Sequence, residues 1–242
     1  MKLLLVSDIH GNKEALKAVL AHMDTIYRID SCALLGDVID YGMHSNEVVG
    51  MLRGVKYPLT CNIRGNHEQA VITQDYGRFS SERGRRCAQY TCSVLSPGTW
   101  DYIRHVMAGS GMTEFALDGK RCLAVHGSLS DPYWKSIFPG QGLEEYRDYD
   151  YVFSGHSHLP HYFETFYETD APFRRNKKKT VFINPGSVGQ PRNLDPLAQC
   201  ALLDTVTGSV TFIKVPYDIR KEQEAYTGQV DDFYRKRLEA GV

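Results

Sequence analysis

A short apolar run followed by a tight cluster of Asp, His, Asn and Gly recurs five times along the chain. Lys2 to Val6 leads into Ser7-Asp8-Ile9-His10-Gly11-Asn12, Cys32 to Leu35 into Gly36-Asp37-Val38-Ile39-Asp40, and Leu59 to Ile63 into Arg64-Gly65-Asn66-His67-Glu68. Cys122 to Val125 leads into His126-Gly127, and Tyr151 to Phe153 into Ser154-Gly155-His156-Ser157-His158. The apolar runs have the length of strands. In open α/β sheets the carboxyl ends of neighbouring strands meet on one rim, where ligands bind. The five polar clusters are therefore predicted to converge on one site.

Between the first clusters the period changes. Ala15, Leu16, Val19, Leu20 and Met23 form an apolar stripe at helical spacing behind an N-cap at Asn12, and residues 45–53 carry a second helical pattern. The order β-α-β-α-β predicts a sheet with mostly parallel strands. Residues 81–107 hold no strand-like run and predict two helices broken near Ser96-Pro97-Gly98, either a lid or an outer layer. After Gly111 the pattern turns to hairpins, with Asp118-Gly119 and Thr207-Gly208 between apolar alternations. The C-terminal stretch reads as helical and charged. There is no internal repeat and no long linker, so one domain spanning residues 1–242 is expected.

Charge narrows the partners. Twenty-eight basic and 29 acidic side chains leave a formal net charge of -1, which gives no global attraction to a nucleic-acid polymer or an anionic membrane. The 42% hydrophobic and 24% charged content is that of a folded globular chain rather than a disordered one. The N-terminal apolar run is too short for a signal segment, and no stretch approaches the ~20 apolar residues that cross a bilayer. Six scattered cysteines without a C-x-x-C pair fit reduced thiols in a cytoplasmic protein. No G-x-G-x-x-G follows the first strand, which disfavours a dinucleotide-binding dehydrogenase.

The polar clusters supply Asp8, His10, Asp37, Asn66, His126, His156 and His158. In extended backbone the pairs Asp8/His10 and His156/His158, two residues apart, each point to one side as chelates. Seven oxygen and nitrogen donors exceed what one first-row ion needs; two ions about 3.5 to 4 Å apart, sharing a carboxylate, would use them. Taken singly, each histidine also reads as a hydrogen-bonded structural residue and each aspartate as a turn or cap. Arg64 and Arg192 are candidates for bidentate phosphate binding or for surface ion pairs, and Asn12 for a substrate contact or a helix cap. The run from Arg174 to Lys179 reads as a solvated hairpin loop or a dock for a polyanionic substrate. Tyr133, Trp134 and Phe138 could roof a nucleobase or pack on their own loop. His22, His44, His105 and His161 lie outside the clusters and read as surface or packing residues.

In order, D-x-H (8–10), G-D-x-x-D (36–40), G-N-H-E (65–68), H-G (126–127) and G-H-S-H (155–158) resemble the calcineurin-like metallophosphoesterase superfamily. Asn184-Pro185-Gly186-Ser187-Val188-Gly189-Gln190-Pro191-Arg192 is similar to its YfcE-type bacterial phosphoesterase branch. The resemblance implies a four-layer α/β/β/α sandwich of two mixed sheets flanked by helices. It also implies two divalent ions of manganese, iron, cobalt, nickel or zinc. Asp8, His10, Asp37 and His158 would hold one and Asp37, Asn66, His126 and His156 the other, with a bridging hydroxide attacking phosphorus. His67 falls on the family's catalytic histidine and Asp40 on its orienting carboxylate. Protein phosphatases of this superfamily carry Arg where Tyr41 stands here, and YfcE-type chains often carry Gly at the place of Asp40. The expected activity is hydrolysis of phosphodiesters or nucleotide-type esters. The alternatives are a protein serine/threonine phosphatase, a dinucleoside polyphosphate hydrolase, or a scaffold that keeps the fold without catalysis.

Overall fold

The computed structural model describes residues 1–140, 142–168 and 178–242. Strands β1 (Lys2–Val6), β2 (Ser31–Leu34) and β3 (Leu59–Asn62) alternate with helices α1 (Lys13–Ile26) and α2 (Ser45–Arg53). Three helices follow: α3 (Asn66–Thr73), α4 (Glu82–Val94) and α5 (Pro97–Asp101). Then come β4 (Met112–Leu117), β5 (Lys120–Val125), β6 (Tyr151–Ser154), β7 (His161–Tyr167), β8 (Lys178–Asn184), β9 (Ala198–Asp204) and β10 (Ser209–Val215). Two short helices, α6 (Ile219–Gln223) and α7 (Phe233–Ala240), end the chain.

The strands form two sheets in the orders β10-β9-β1-β2-β3 and β4-β5-β6-β8-β7. Both are mixed: β1, β2 and β3 run parallel and β9 runs antiparallel to both β1 and β10, while β5, β6 and β8 run parallel between antiparallel β4 and β7. The uninterrupted apolar run of β1 follows from burial on both faces. Leu3 and Leu5 point between the sheets, where they join Ala33, Cys122, Ala124, Phe153 and Ile183. Leu4 and Val6 point outward to the stripe Ala15, Leu16, Val19 and Met23 of α1. Each such apolar side chain stabilises the fold by ~1.5 to 3 kcal/mol on leaving water. The outer face of the second sheet is covered by Ile137, Leu143 and Tyr146, from a stretch that includes a 3-10 turn at Glu144–Tyr146. The layers are thus helix, sheet, sheet, helical turn, the expected α/β/β/α sandwich.

Asn12 caps α1, its Oδ1 accepting from the Ala15 N–H at 3.0 Å, a contact that contributes ~1 kcal/mol. The Asp118-Gly119 turn joins β4 to β5 with both residues left-handed, at φ 47° and 77°. Residues 82–106 break at Ser96 as expected and finish in a π-helical turn, Tyr102–Val106. Leu95, Tyr102, Ile103 and Met107 bury this segment into the outer layer on the first sheet. Arg174, Arg175, Asn176 and Lys177 of the basic run lie outside the described residues. Lys178 and Lys179 open β8 and pair with Asp148 and Glu164 at 3.7 and 2.7 Å.

Candidate metal centre

The loops after β1 and β2 are zipped together by backbone: Asp8 N–H donates to the Gly36 carbonyl at 3.0 Å and His10 N–H to the Asp37 carbonyl at 2.9 Å. Packing is tight enough that a Cβ on Gly65 would lie 2.1 Å from Asp37 Oδ1, and one on Gly36, at φ 93°, 2.5 Å from Gly65 N. Glycine is required at both. The buried Glu68 carboxylate accepts from four backbone N–H groups, those of Asp37, Val38, Ile39 and Gly65, at 2.7 to 3.1 Å. It thereby holds the second loop against the start of α3.

One geometric expectation is corrected. Asp8, His10, His156 and His158 are not in extended backbone: their φ angles are 53°, 49°, 65° and 59°, and Asp37 has φ 53°. The pairs converge because left-handed residues curl each loop inward. Asp, Asn and His tolerate that conformation better than other non-glycine residues, but it still stores strain.

Two groups of donors result, each with its atoms within 4.8 Å of one another: Asp8, His10, Asp37 and His158, and Asp37, His126 and His156. Asp37 belongs to both. Its Oδ2 lies 3.6 Å from His10 Nε2 and 3.2 Å from His126 Nε2, while its Oδ1 accepts from the His67 N–H at 2.9 Å. Asn66 Oδ1 completes the second group, 3.1 Å from His126 Nε2 and 2.9 Å from His156 Nδ1.

Hydrogen bonding fixes which lone pairs face inward. His10 Nδ1–H donates to the Ile39 carbonyl and His158 Nδ1–H to the Gln190 carbonyl. Their Nε2 lone pairs are left facing each other at 3.1 Å. His156 Nε2–H donates to the Trp134 carbonyl, which turns its Nδ1 lone pair toward Asn66 Oδ1. Asp8 Oδ2 accepts from the Ser7 hydroxyl and the His156 N–H, whereas buried Asp8 Oδ1 receives no hydrogen bond. Converging, unshared lone pairs in a buried site fit divalent cations.

Proton affinities agree. Burial, then the neighbouring His67 charge, pushes His10 well down; burial and Arg192 push His158 down; burial and His126 push His156 down to about 4. Each shift favours the neutral imidazole, the form with a lone pair to give. For Asp37 burial works the other way, yet His126 and His67 hold its carboxyl well below the usual range. Burial also opposes a charge on His126, but Asp37 outweighs it and raises the imidazole to about 9.

Beside the donors, His67 Nδ1–H donates to Asp40 Oδ2 at 2.6 Å, and Asp40 Oδ1 accepts from the Thr91 hydroxyl at 2.7 Å. Burial alone would lower the His67 imidazole, but Asp37 and the Asp40 hydrogen bond hold it above its ordinary value. A cavity of about 420 Å³ opens onto Asp37, Asn66, His67, His156 and His158, with Tyr41, Arg78, Phe79, Ser80, Trp134 and Arg192 around it. Arg192 is exposed there and makes no hydrogen bond or ion pair among the described residues.

Two other substrate candidates are engaged elsewhere. Arg64 donates from Nε to the Ile103 carbonyl at 2.6 Å and from its Nη2 to the Arg104 carbonyl at 2.7 Å, where it caps the π-helical turn away from the cavity. Besides capping α1, Asn12 donates its amide to the Gly189 carbonyl and to the Tyr217 hydroxyl. Of the three aromatic residues, Trp134 reaches the cavity, with its ring edge-on to Phe79 at 5.2 Å. Tyr133 donates to the Gly109 carbonyl, and Phe138 lies beside His161. The sequence reading does not single out Arg78, Phe79, Ser80 and Thr91, which come from a stretch without a metal-ligand motif.

The family model described as the calcineurin-like phosphoesterase superfamily domain matches residues 1–208. The chain belongs to the calcineurin-like phosphoesterase superfamily. An uncharacterized protein of Methanocaldococcus jannaschii is 30% identical over 227 residues, covering 91% of this chain and 89% of that one. The crystal structure of a metallophosphoesterase from Sphaerobacter thermophilus superimposes with a TM-score of 0.79 at 28% identity, covering 100% of both chains. A protein phosphatase 2A catalytic subunit of Dictyostelium discoideum is 32% identical over 133 residues, which span 52% of this chain and 38% of that protein. Within this superfamily member, the match ends just before β10 begins, so β10, α6 and α7 lie beyond it.

Proposed function

We propose that this calcineurin-like protein is a dinuclear-metal phosphoesterase acting on small phosphodiesters or nucleotide-type esters. The observation that carries the proposal is the buried array of unshared lone pairs centred on Asp37 Oδ2, with His10 and His158 Nε2 facing each other at 3.1 Å. Asp8, His10, Asp37 and His158 would hold one divalent ion, and Asp37, Asn66, His126 and His156 the other. Manganese, iron, cobalt, nickel and zinc all suit such mixed carboxylate, amide and imidazole donors. Bound there, such cations would supply Lewis acidity, lowering the pKa of bound water toward neutrality and offsetting phosphoryl charge.

The chain's own residues supply the rest. His67, with Nδ1–H fixed on Asp40, presents Nε2 to the cavity as the general acid that protonates the departing oxygen. Asp40 keeps that tautomer, and Thr91 holds Asp40. Arg192, free of other partners among the described residues, takes the phosphoryl oxygens. The Trp134 and Phe79 edge offers an apolar contact to an aromatic leaving group. The dyad favours catalysis over a scaffold role, because a scaffold has no use for a buried acid oriented into a cavity. Among the described residues no helix is long and apolar enough to cross a membrane, and all six cysteines are free, five of them buried. We place the protein in the cytoplasm on the thiols.

The test is a hydrolysis screen of the metal-reconstituted protein against mono- and diesters, nucleotides, dinucleoside polyphosphates and phosphopeptides. Turnover of diesters or nucleotide-type esters above the rest is the expected result. Selective turnover of phosphopeptides would overturn the substrate assignment.

A further inference from the structure

Residues beyond the family match touch each of three loops that carry the candidate site. The Tyr217 hydroxyl accepts from Asn12 behind His10, the Tyr226 hydroxyl donates to the Tyr41 carbonyl at 3.2 Å, and the Gly241 carbonyl accepts from the Leu194 N–H, two residues past Arg192. The closest engagement is aromatic. Tyr234 of α7 stacks on Tyr41 with centroids 4.7 Å apart and planes 19° off parallel. Tyr41 in turn meets His67 edge-on at 4.4 Å and His10 at 4.5 Å. Held between these rings in left-handed backbone, φ 59°, Tyr41 is only 9% exposed. Yet it lines the cavity with Asp37, His67 and Arg192, and its hydroxyl has no hydrogen-bond partner among the described residues.

A hydroxyl that lines a cavity and has no protein partner is free to hydrogen-bond a ligand bound there. We propose that Tyr41 is a substrate-binding residue whose hydroxyl donates to a non-bridging phosphoryl oxygen beside Arg192, and that Tyr234 is the positioning residue that fixes its ring. The inference rests on the phosphoesterase reading above and adds to it a substrate-binding residue and the residue that positions it.

The experiment uses full-length, manganese-loaded wild type, Tyr41→Phe, Tyr234→Leu and Tyr234→Phe. Inorganic phosphate binding is measured by calorimetry, bis-nitrophenyl phosphate hydrolysis by kinetics, and bound metal by elemental analysis. Tyr41→Phe should bind phosphate about 5- to 10-fold more weakly and raise KM similarly, with metal content unchanged, as expected for loss of one hydrogen bond. Tyr234→Leu should show part of that loss, and Tyr234→Phe, which keeps the ring, should recover wild-type affinity. If wild type binds phosphate and Tyr41→Phe binds it equally, the inference falls while the phosphoesterase reading stands. If wild type neither binds phosphate nor hydrolyses any ester, both fall.

Discussion

His10 and His158 approach through their Nε2 atoms to 3.1 Å while each Nδ1–H is given to a backbone carbonyl, that of Ile39 and that of Gln190. Carbonyls only accept, so both inward nitrogens present lone pairs to one another. Such an arrangement is repulsive without a cation between the donors. Replacing His158 with Asn should therefore relieve the metal-free protein of a strained pair while lowering metal affinity by at least ~10 to 100 fold. Calorimetric manganese titration together with a thermal melt of the chelated protein checks both halves. Retained affinity would remove His158 from the ligand set.

Asp37 is the donor common to both groups, and its neutral amide isostere removes a charge and a shared lone pair at once. Asp37→Asn should lose bound metal and lower kcat/KM by ~100 fold or more. Elemental analysis of the purified variant decides: two ions retained per chain in an active protein would show that Asp37 is not the bridge.

For His67 the expected signature is a dependence on the leaving group. A nitrophenolate departs readily as an anion, whereas an alkoxide needs a proton. His67→Asn should cost a further ~10 to 100 fold on an alkyl ester relative to a nitrophenyl ester. Asp40→Asn and Thr91→Val, which act through the imidazole, should show the same bias more mildly. Equal losses on the two esters would assign His67 to charge stabilisation instead.

Much of this candidate site is legible in sequence because the candidate ligands sit directly at strand ends, where the apolar runs announce them. The stripe of α1 and the Asp118-Gly119 turn are local properties and appear where expected. The convergence of Asp8 with His10 is real but comes from left-handed backbone rather than from the pleat, and no spacing rule distinguishes the two. Thr91 reaches Asp40 across 51 positions, and Tyr234 reaches Tyr41 across a still longer stretch. Contacts of that range depend on how helices dock, which periodicity alone does not encode. Arg64 illustrates the converse: its place beside a ligand motif suggested phosphate binding, but the carbonyls ending a π-helical turn claim its guanidinium.

Glu222 of α6 is fully buried, accepting from the Glu14 N–H at 3.1 Å and pairing with His44 Nδ1 at 2.8 Å. The hydrogen bond to Glu222 raises the His44 imidazole above its ordinary value. A raised folded-state pKa means stability present below the unfolded value of about 6.5 and lost as pH rises through the folded value. His44→Asn should therefore lower Tm at pH 5.5 by an amount corresponding to ~1 kcal/mol or less, with the gap closing by pH 9. A gap that stays constant with pH would show that His44 contributes packing and not charge.

The central claim is that buried lone pairs around Asp37 bind two divalent ions that make the protein a phosphoesterase. The most direct measurement titrates manganese into the chelated protein while recording hydrolysis of a nitrophenyl phosphodiester and the melting temperature. The fold of this size does not need the ions, so the chelated protein should remain folded and inactive, with Tm rising as metal binds the native state. Activity should appear with the second equivalent. Full turnover in the chelated protein, or two bound equivalents without hydrolysis of any phosphate ester, would contradict the account.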